Sequence, residues 1–215
     1  MPQAIVFDLD GTLVHSAPDI QAALNAMLAR EGIAPLSLDE VIGFIGNGLA
    51  VLVSRVIAHL QLDPQDHPRL MAETYRQMTE NPAGLTALFA EVRPALEALR
   101  AKGHPIGLCT NKPEAAAIQL LHSLQIEDLF DIVVGGGRLE VLKPDPAPLL
   151  LTFELLGAQS GIFVGDSEVD CETAARAKAD FVLFTEGYHH RPIAELPNRA
   201  VFDHFAALPQ IIASL

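Results

Sequence analysis

Residues 5–12 read Ile-Val-Phe-Asp-Leu-Asp-Gly-Thr, an apolar run that ends in two carboxylates spaced two positions apart. Side chains alternate across a strand, so we expect Asp8 and Asp10 on the same face at the carboxyl end of a buried strand. Two like charges held that close are costly to keep ionised unless a cation or a shared proton relieves them. A function is the usual reason for a protein to carry such a pair.

Further apolar runs downstream have the length of strands and alternate with helical patterns. The runs cover residues 105–109, 131–134, 161–164 and 181–184, and the helical patterns cover 93–101, 114–124, 147–156, 169–178 and the region near 205–214. This alternation is typical of βαβ units. It predicts an α/β fold, in which a parallel sheet is covered by helices on both faces.

The segment between the first two predicted strands is far longer than a crossover helix needs. Residues 16–81 show only helical patterns, with helices predicted over 17–30, from 38, and over 49–60 and 68–79. We therefore predict an all-helical insertion at 16–81, with 1–15 and 82–215 forming the core domain. Because open α/β sheets bind ligands at the carboxyl ends of their strands, this insertion would cover the site as a lid.

The composition narrows the range of partners and compartments. The 215 residues are 50% hydrophobic and carry a net charge of −13 with no basic cluster, which argues against nucleic acid and anionic membranes as partners. Neither a signal peptide nor a membrane span is visible. Only Cys109 and Cys171 are present, and we expect reduced thiols in a cytoplasmic protein. The oligomeric state stays open.

Polar residues follow several of the predicted strands. Thr110 and Asn111 end the second, Lys143 follows the third, and Gly165-Asp-Ser-Glu-Val-Asp170 follows the fourth. In a parallel sheet these ends lie on one side, so we expect segments from distant parts of the sequence to converge with Asp8 and Asp10.

The converging residues suit phosphoryl transfer. Asp8 can act as a nucleophile, while Asp10 protonates the leaving group and later activates water. Lys143 can stabilise charge on the transferred group. The Thr110 hydroxyl and the backbone N–H groups around Asn111 can cradle the phosphate.

A divalent cation is needed between an anionic nucleophile and a phosphate dianion. Oxygen ligands from Asp8, Asp166 and Asp170 suit a hard ion, so the sequence predicts Mg²⁺ as the cofactor. The partner is then a small phosphate ester.

Together these segments resemble the haloacid dehalogenase superfamily of aspartyl phosphatases. The family's D-x-D-G-T motif matches residues 8–12, its second motif matches 110–111, its third matches 143–144, and G-D-S-x-x-D matches 165–170. The resemblance implies a Rossmann-like core, a C1-type helical cap and an aspartyl-phosphate intermediate on Asp8. It also implies an acid/base at Asp10, and a magnesium ion held by Asp8, Asp166 and the backbone carbonyl of Asp10.

Within that superfamily the chain is most similar to the phosphoglycolate phosphatases. The similarity rests on residues 44–48 with Arg55, on 108–113, and on 186–188. It implies 2-phosphoglycolate as the substrate. The predicted phosphate- and substrate-binding residues comprise Gly11, Thr12, Asn47, Gly48, Arg55, Thr110 and Asn111. His15 departs from the family, which usually carries Asp there, and lies near the expected hinge between core and cap.

Several alternatives stay open at this point. The core motifs are compatible with a sugar-phosphate phosphatase or a β-phosphoglucomutase-like phosphomutase, and more remotely with a non-catalytic module that binds a phosphorylated ligand. A dehalogenase is disfavoured, because a departing halide needs no proton from Asp10. Arg55 either extends to solvent or reaches the anionic end of the substrate.

Overall fold

The computed structural model describes residues 2–80 and 84–215. A six-stranded parallel sheet forms its centre, with the strand order β5-β4-β1-β6-β7-β8. The strands of this sheet are β1 (Ala4–Phe7), β4 (Ile106–Pro113), β5 (Ile132–Gly136), β6 (Gly161–Gly165), β7 (Asp180–Phe184) and β8 (Ala200–Phe202). Two short strands, β2 (Val14–His15) and β3 (Ala87–Leu88), form a separate antiparallel pair. The predicted α/β architecture is confirmed.

Helices connect the strands and cover both faces of the sheet. The helices of the core are α5 (Val92–Ala101), α6 (Glu114–Ser123), α7 (Ala147–Leu155), α8 (Glu168–Ala177) and α9 (Leu208–Ser214). Alternation along β1 sends Ile5 and Phe7 into one hydrophobic core with α5, α6 and α9, whereas Ala4 and Val6 enter a second core with α7 and α8. Because it is buried on both faces, β1 contains only apolar residues.

The long segment after β1 is helical, as predicted. It contains α1 (Ala17–Arg30), α2 (Leu38–Ile42), α3 (Leu49–Leu60) and α4 (His67–Glu80). These helices enclose a hydrophobic core of their own, which Tyr188 of the sheet domain also enters. The predicted end of the insertion, between residues 81 and 82, lies outside the described residues.

The β2–β3 pair joins the two points where the chain passes between the sheet domain and the insertion. Val14 pairs with Leu88 and His15 pairs with Ala87. The Asp19 carboxylate of α1 reinforces this junction by accepting hydrogen bonds from the backbone N–H groups of residues 85 and 86, at 3.0 and 2.7 Å. The two chain crossings are therefore held side by side.

Three strands of the structure are absent from the sequence-based prediction. These are β2, β3 and β8, which have only two or three residues each and carry no alternation that periodicity can detect. The prediction also ends the second strand at residue 109, whereas β4 continues to Pro113 with an irregular register against β5 after Cys109. Thr110 and Asn111 therefore lie in the last part of β4.

Candidate active site

Buried carboxylates converge where β1 and β6 end side by side. Phe7 pairs with Val164 in the sheet, and the chain then continues into Asp8 on one strand and Asp166 on the other. Asp170 enters from the first turn of α8. Asp8, Asp166 and Asp170 each place a carboxylate oxygen within 4.8 Å of the others. The convergence predicted from the strand ends is therefore present in the structure.

Lys143 is buried among these carboxylates. Its Nζ lies 2.9 Å from Oδ1 of Asp8 and 2.7 Å from Oδ1 of Asp170, and it stands over the Phe163 ring at 5.1 Å from the centroid. Asn111 fixes the backbone on either side of this lysine, because its Oδ1 accepts from Lys143 N at 2.8 Å and its Nδ2 donates to Lys143 O at 2.9 Å. Asn111, predicted to lie against the phosphate, thus also positions the lysine.

Burial changes the ionisation of this cluster. Burial, followed by the nearby Asp170 charge, raises the pKa of Asp8 to about 7 even though Lys143 acts in the opposite direction. The same two causes raise the pKa of Asp166 well above its usual range. Burial opposes the charged form of Lys143, yet the Asp170 and Asp8 carboxylates raise its pKa. The carboxylates thus lack enough positive charge to be ionised together.

This deficit fits a bound cation. Asp8 and Asp166 offer oxygen atoms only, a donor set suited to hard divalent ions such as Mg²⁺. Two bonds orient Asp166: Thr12 Oγ1 donates to its Oδ1 at 2.5 Å, and Tyr188 N donates to its Oδ2 at 2.6 Å. Such outer hydrogen bonds are the usual way in which a ligating carboxylate is held in place.

Asp170 has partners for both carboxylate oxygens within the protein. Oδ1 binds Lys143, while Oδ2 accepts from the Ser167 hydroxyl at 2.6 Å and from Ser167 N at 3.2 Å. Ser167 and Asp170 together form the capping box that starts α8. These contacts favour Asp170 as a residue that positions Lys143 and the loop at Asp166.

Gly11 is required by the close approach of two loops. It has φ +89, and a Cβ atom there would overlap the Asp166 carboxylate and the Tyr188 ring. Only glycine adopts this conformation without strain and leaves room for both neighbours. Gly11 therefore shapes the site through its backbone, and Thr12 acts through its bond to Asp166.

Asp10 makes a contact that the sequence reasoning missed. Lys112 Nζ lies 3.0 Å from Oδ1 and 3.3 Å from Oδ2 of the Asp10 carboxylate, and the lysine side chain is only 9% exposed. One signal for Lys112 was visible in the sequence, because this lysine directly follows Thr110 and Asn111 at the end of a strand. Thr110 accepts from Lys112 N through its hydroxyl, at 3.2 Å.

A cleft between the sheet domain and the helical insertion opens onto Asp8 and Asp10; we call it the Lys112 cleft. Its other lining residues are Ile20, Ile45, Gly46, Gly48, Leu49, Leu52, Met78, Thr110, Asn111, Lys112 and Pro113. The insertion touches the core directly here, because Asn111 Nδ2 donates to Gly46 O at 3.2 Å. Gly48 has φ +82, and a Cβ there would meet Asn111 O at 3.3 Å. Gly48 therefore allows the two parts to approach closely.

A second opening, the Arg55 cleft, reaches the same carboxylates from the other side. It is lined by Asp8, Asp10, Ile45, Gly46, Asn47, Arg55, Asp166, Ser167, Glu168, Val169, Tyr188, His190 and Arg191. Arg55 donates to Asn47 Oδ1 at 2.6 Å and to Phe44 O at 2.9 Å, so its guanidinium fixes the loop over residues 44–47. The Arg55 side chain is therefore half-buried against this loop. It neither extends fully into solvent nor points at a substrate as an unpartnered cation.

Tyr188 joins the carboxylate site to the hinge. While its backbone N–H holds Asp166, its hydroxyl accepts from Ala17 N at 3.0 Å and lies 2.9 Å from His15 Nδ1. His15, noted above as a departure from the family, is therefore a partner of Tyr188 at the first chain crossing.

Two further expectations concern thiols and membranes. Cys109 and Cys171 are both free and buried, and burial raises the pKa of the Cys109 thiol to about 12, so the thiol is not a nucleophile at neutral pH. Among residues 2–80 and 84–215, the structure contains no helix with the length and apolar character of a membrane span.

Comparison with known proteins agrees with this geometry. A family model described as haloacid dehalogenase-like hydrolase matches residues 5–184. The phosphoglycolate phosphatase of Cereibacter sphaeroides strain ATCC 17029 is 48% identical over 213 residues, covering 98% of each chain. That of Rhodospirillum rubrum is 41% identical over 216 residues, covering 97% of this chain and 90% of the relative.

Solved structures show the same fold over the whole chain. The crystal structure of a predicted phosphoglycolate phosphatase from Haemophilus somnus superposes with a TM-score of 0.90 at 33% identity, covering 98% of this chain and 97% of the other. CbbY from Rhodobacter sphaeroides, solved in complex with phosphate, has a TM-score of 0.77 at 21% identity, with 97% and 96% coverage.

Proposed function

Because the chain belongs to the haloacid dehalogenase-like hydrolases, we propose that it is a magnesium-dependent phosphomonoesterase acting on 2-phosphoglycolate, which it converts to glycolate and phosphate. The substrate assignment is supported by relatives named phosphoglycolate phosphatase, whose similarity extends over almost the entire chain. The chemistry is supported by the residues that surround Asp8.

The observation that carries the proposal is the buried contact between Asp8 and Lys143. A carboxylate at the mouth of the sheet has an ammonium group 2.9 Å from its Oδ1 and a second carboxylate, Asp10, two residues further on. A nucleophile, a cation for the transferred group and an acid/base therefore lie within one small site.

In the first half-reaction, an Asp8 carboxylate oxygen forms a bond to phosphorus while the bond from phosphorus to the ester oxygen breaks. Asp10 gives its proton to the departing glycolate oxygen. Lys143 stabilises negative charge on the phosphoryl oxygens, and the Thr110 hydroxyl and the Asn111 backbone orient them.

In the second half-reaction, Asp10 takes a proton from water as the water oxygen attacks phosphorus. The bond between Asp8 and phosphorus breaks, which releases phosphate and regenerates both carboxylic groups in their starting forms. Asp8, Asp166 and the backbone carbonyl of Asp10 would hold Mg²⁺. When bound, the ion supplies the positive charge that lets an anionic nucleophile approach an anionic phosphate.

The helical insertion would act as a cap that selects the leaving group and excludes water. We place the cap at residues 16–81 and the core at 1–15 and 82–215. The loop that contains Asn47 and Gly48 borders the site, and Arg55 supports that loop from α3. Closure of this kind sequesters the reaction from solvent. The two cysteines, expected to stay reduced, support a cytoplasmic location, and the net charge of −13 supports a small-molecule partner over nucleic acid or an anionic membrane.

The test is a panel of small phosphate esters assayed for phosphate release with Mg²⁺ and with EDTA. Metal-dependent hydrolysis with the highest kcat/KM for 2-phosphoglycolate is expected. A large preference for a sugar phosphate would overturn the substrate while leaving the chemistry. Isomerisation of glucose 1-phosphate without phosphate release would indicate a phosphomutase instead.

The nucleophile assignment has its own control. Asp8→Asn is expected to lose turnover by at least about 10³-fold while keeping its circular dichroism spectrum, in line with losses seen when a covalent nucleophile is removed. A fully active Asp8→Asn variant would refute the mechanism. Saturable binding of 2-phosphoglycolate by the wild type without turnover would instead indicate a binding module.

A further inference from the structure

The ion pair between Lys112 and Asp10 lines the Lys112 cleft, one of the two openings that reach Asp8 and Asp10. The Lys112 side chain is 9% exposed and that of Asp10 is 16% exposed, so both charges are largely removed from water. In such a site each charge needs an opposite charge beside it, because an unpaired buried charge is costly. A third charged group entering the cleft therefore competes directly for the ammonium.

Lys112 is the one cationic side chain among the described residues that line this cleft. Toward the helical insertion the lining is apolar, with Ile45, Leu49, Leu52 and Met78. Arg55, for which the sequence left solvent exposure and contact with an anionic substrate both open, donates instead to the backbone and a side chain of the 44–47 loop. An anionic group on the substrate thus has Lys112 as its partner on this side.

Distances also place the ammonium beside the leaving group. Asp10 has to come within hydrogen-bond reach of the ester oxygen in order to protonate it. Lys112 Nζ is 3.0 Å from Asp10 Oδ1, so it lies within two hydrogen-bond lengths, roughly 6 Å, of that ester oxygen. A carboxylate attached one carbon away from the ester oxygen falls inside this distance.

We propose that Lys112 determines specificity by binding the carboxylate of the leaving group, for which it exchanges part of its contact with Asp10. The inference rests on the proposed function and deepens it. An ester with a carboxylate on its leaving group gains an ion pair in a desolvated cleft, whereas an ester with an uncharged leaving group leaves Lys112 on Asp10 and gains nothing.

The test compares two substrates that differ only at this group. 2-Phosphoglycolate carries the carboxylate, and ethyl phosphate carries a methyl group in its place. Each is assayed with Mg²⁺ on the wild type, on Lys112→Met, which keeps the length of the side chain without its charge, and on Lys112→Arg. Lys178→Met is the matched control, because Lys178 is an exposed lysine at the end of α8.

We expect the ratio of kcat/KM values, phosphoglycolate over ethyl phosphate, to fall about 100-fold in Lys112→Met, which corresponds to about 2.7 kcal/mol. Lys112→Arg should restore part of the ratio, and Lys178→Met should leave it unchanged. If Lys112→Met instead slows both substrates equally, Lys112 acts only on Asp10 and the inference is overturned.

Binding of stable analogues covers the case in which Lys112→Met has no measurable turnover. Calorimetry with Mg²⁺ compares 3-phosphonopropionate with propylphosphonate, and the variant should lose affinity for the first alone. Equal losses would overturn the inference. Failure of the proposed function is recognised separately, because the wild type would then hydrolyse neither ester, while the two phosphonates would still report on Lys112.

Discussion

Replacing Asp8 with Asn should stabilise the metal-free protein at neutral and alkaline pH, even though it removes the nucleophile. Burial, followed by the neighbouring Asp170 charge, raises the pKa of Asp8 from 3.8 to about 7. Between these two values the folded chain keeps a proton that the unfolded chain has lost. Ionising Asp8 therefore costs the folded state free energy as the pH rises. Asn has the same shape and no charge to ionise.

The size of the effect follows from the two pKa values. A pKa of about 7 in the fold against 3.8 in the unfolded chain corresponds to roughly 4 kcal/mol above pH 7, at about 1.4 kcal/mol per pH unit. At pH 8 the Asp8→Asn variant should be more stable than the wild type by ~2 kcal/mol, half of this value. The other half is lost because Lys143 has only one of its two carboxylate partners in the variant. At pH 5 the gain should fall below about 1 kcal/mol, since Asp8 is then protonated in the fold.

Guanidinium unfolding in EDTA at pH 5, 6, 7 and 8 measures this difference. Asp203→Asn, at an exposed carboxylate, is the control and should change the free energy of unfolding by less than about 0.5 kcal/mol at every pH. Added Mg²⁺ should stabilise the wild type more than Asp8→Asn. An Asp8→Asn variant that is less stable than the wild type at pH 8, or that gains as much stability at pH 5 as at pH 8, would contradict a raised Asp8 pKa in the fold.

Three further perturbations test other parts of the site. Lys143→Met should lower the free energy of unfolding by about 3–5 kcal/mol in chemical denaturation at pH 8, because it leaves two buried carboxylates without their cation; a loss below 1 kcal/mol would contradict the buried arrangement. Gly187→Ala should weaken Mg²⁺ binding at least about tenfold in calorimetry, since its Cβ would overlap the Asp166 side chain and displace it; unchanged affinity would exclude Asp166 as a ligand. Arg55→Gln should raise KM more than it lowers kcat in steady-state assays, because it releases the 44–47 loop without touching the reacting groups; a pure loss of kcat would instead place Arg55 among the catalytic residues.

The sheet and the family were predictable because their signals are local. An apolar run followed by Asp8 and Asp10 marks a buried strand and its functional end, and the four motifs in their order identified a haloacid dehalogenase-like hydrolase, which is confirmed. The boundaries of α1 and α3 were also predicted to the residue, since Pro18 near the start of α1 and the strongly apolar composition of α3 are visible in the sequence.

The sequence predicted which segments converge, but it could not supply the individual side-chain contacts between them. The Lys112–Asp10 pair spans 102 positions and the Tyr188–Asp166 bond spans 22, and neither has a periodicity. Arg55 shows the converse problem. The sequence left this cation on an apolar helix either in solvent or on the substrate, whereas in the fold it binds the loop before its own helix.

The charge balance of the site involves two lysines: Lys143, which the sequence motifs identified, and Lys112, whose contact with Asp10 they did not reveal. Asp8 and Asp170 contact Lys143, Asp166 lies beside both of these carboxyl groups, and Asp10 contacts Lys112, so four carboxyl groups share two ammonium groups. A divalent cation would offset the negative charge that the two ammonium groups leave uncompensated. Lys143 is buried between two carboxylates that the fold holds in place, whereas Lys112 contacts Asp10 in a cleft that opens onto the site. Of the two lysines, Lys112 is therefore the one whose partner a charged substrate is able to replace.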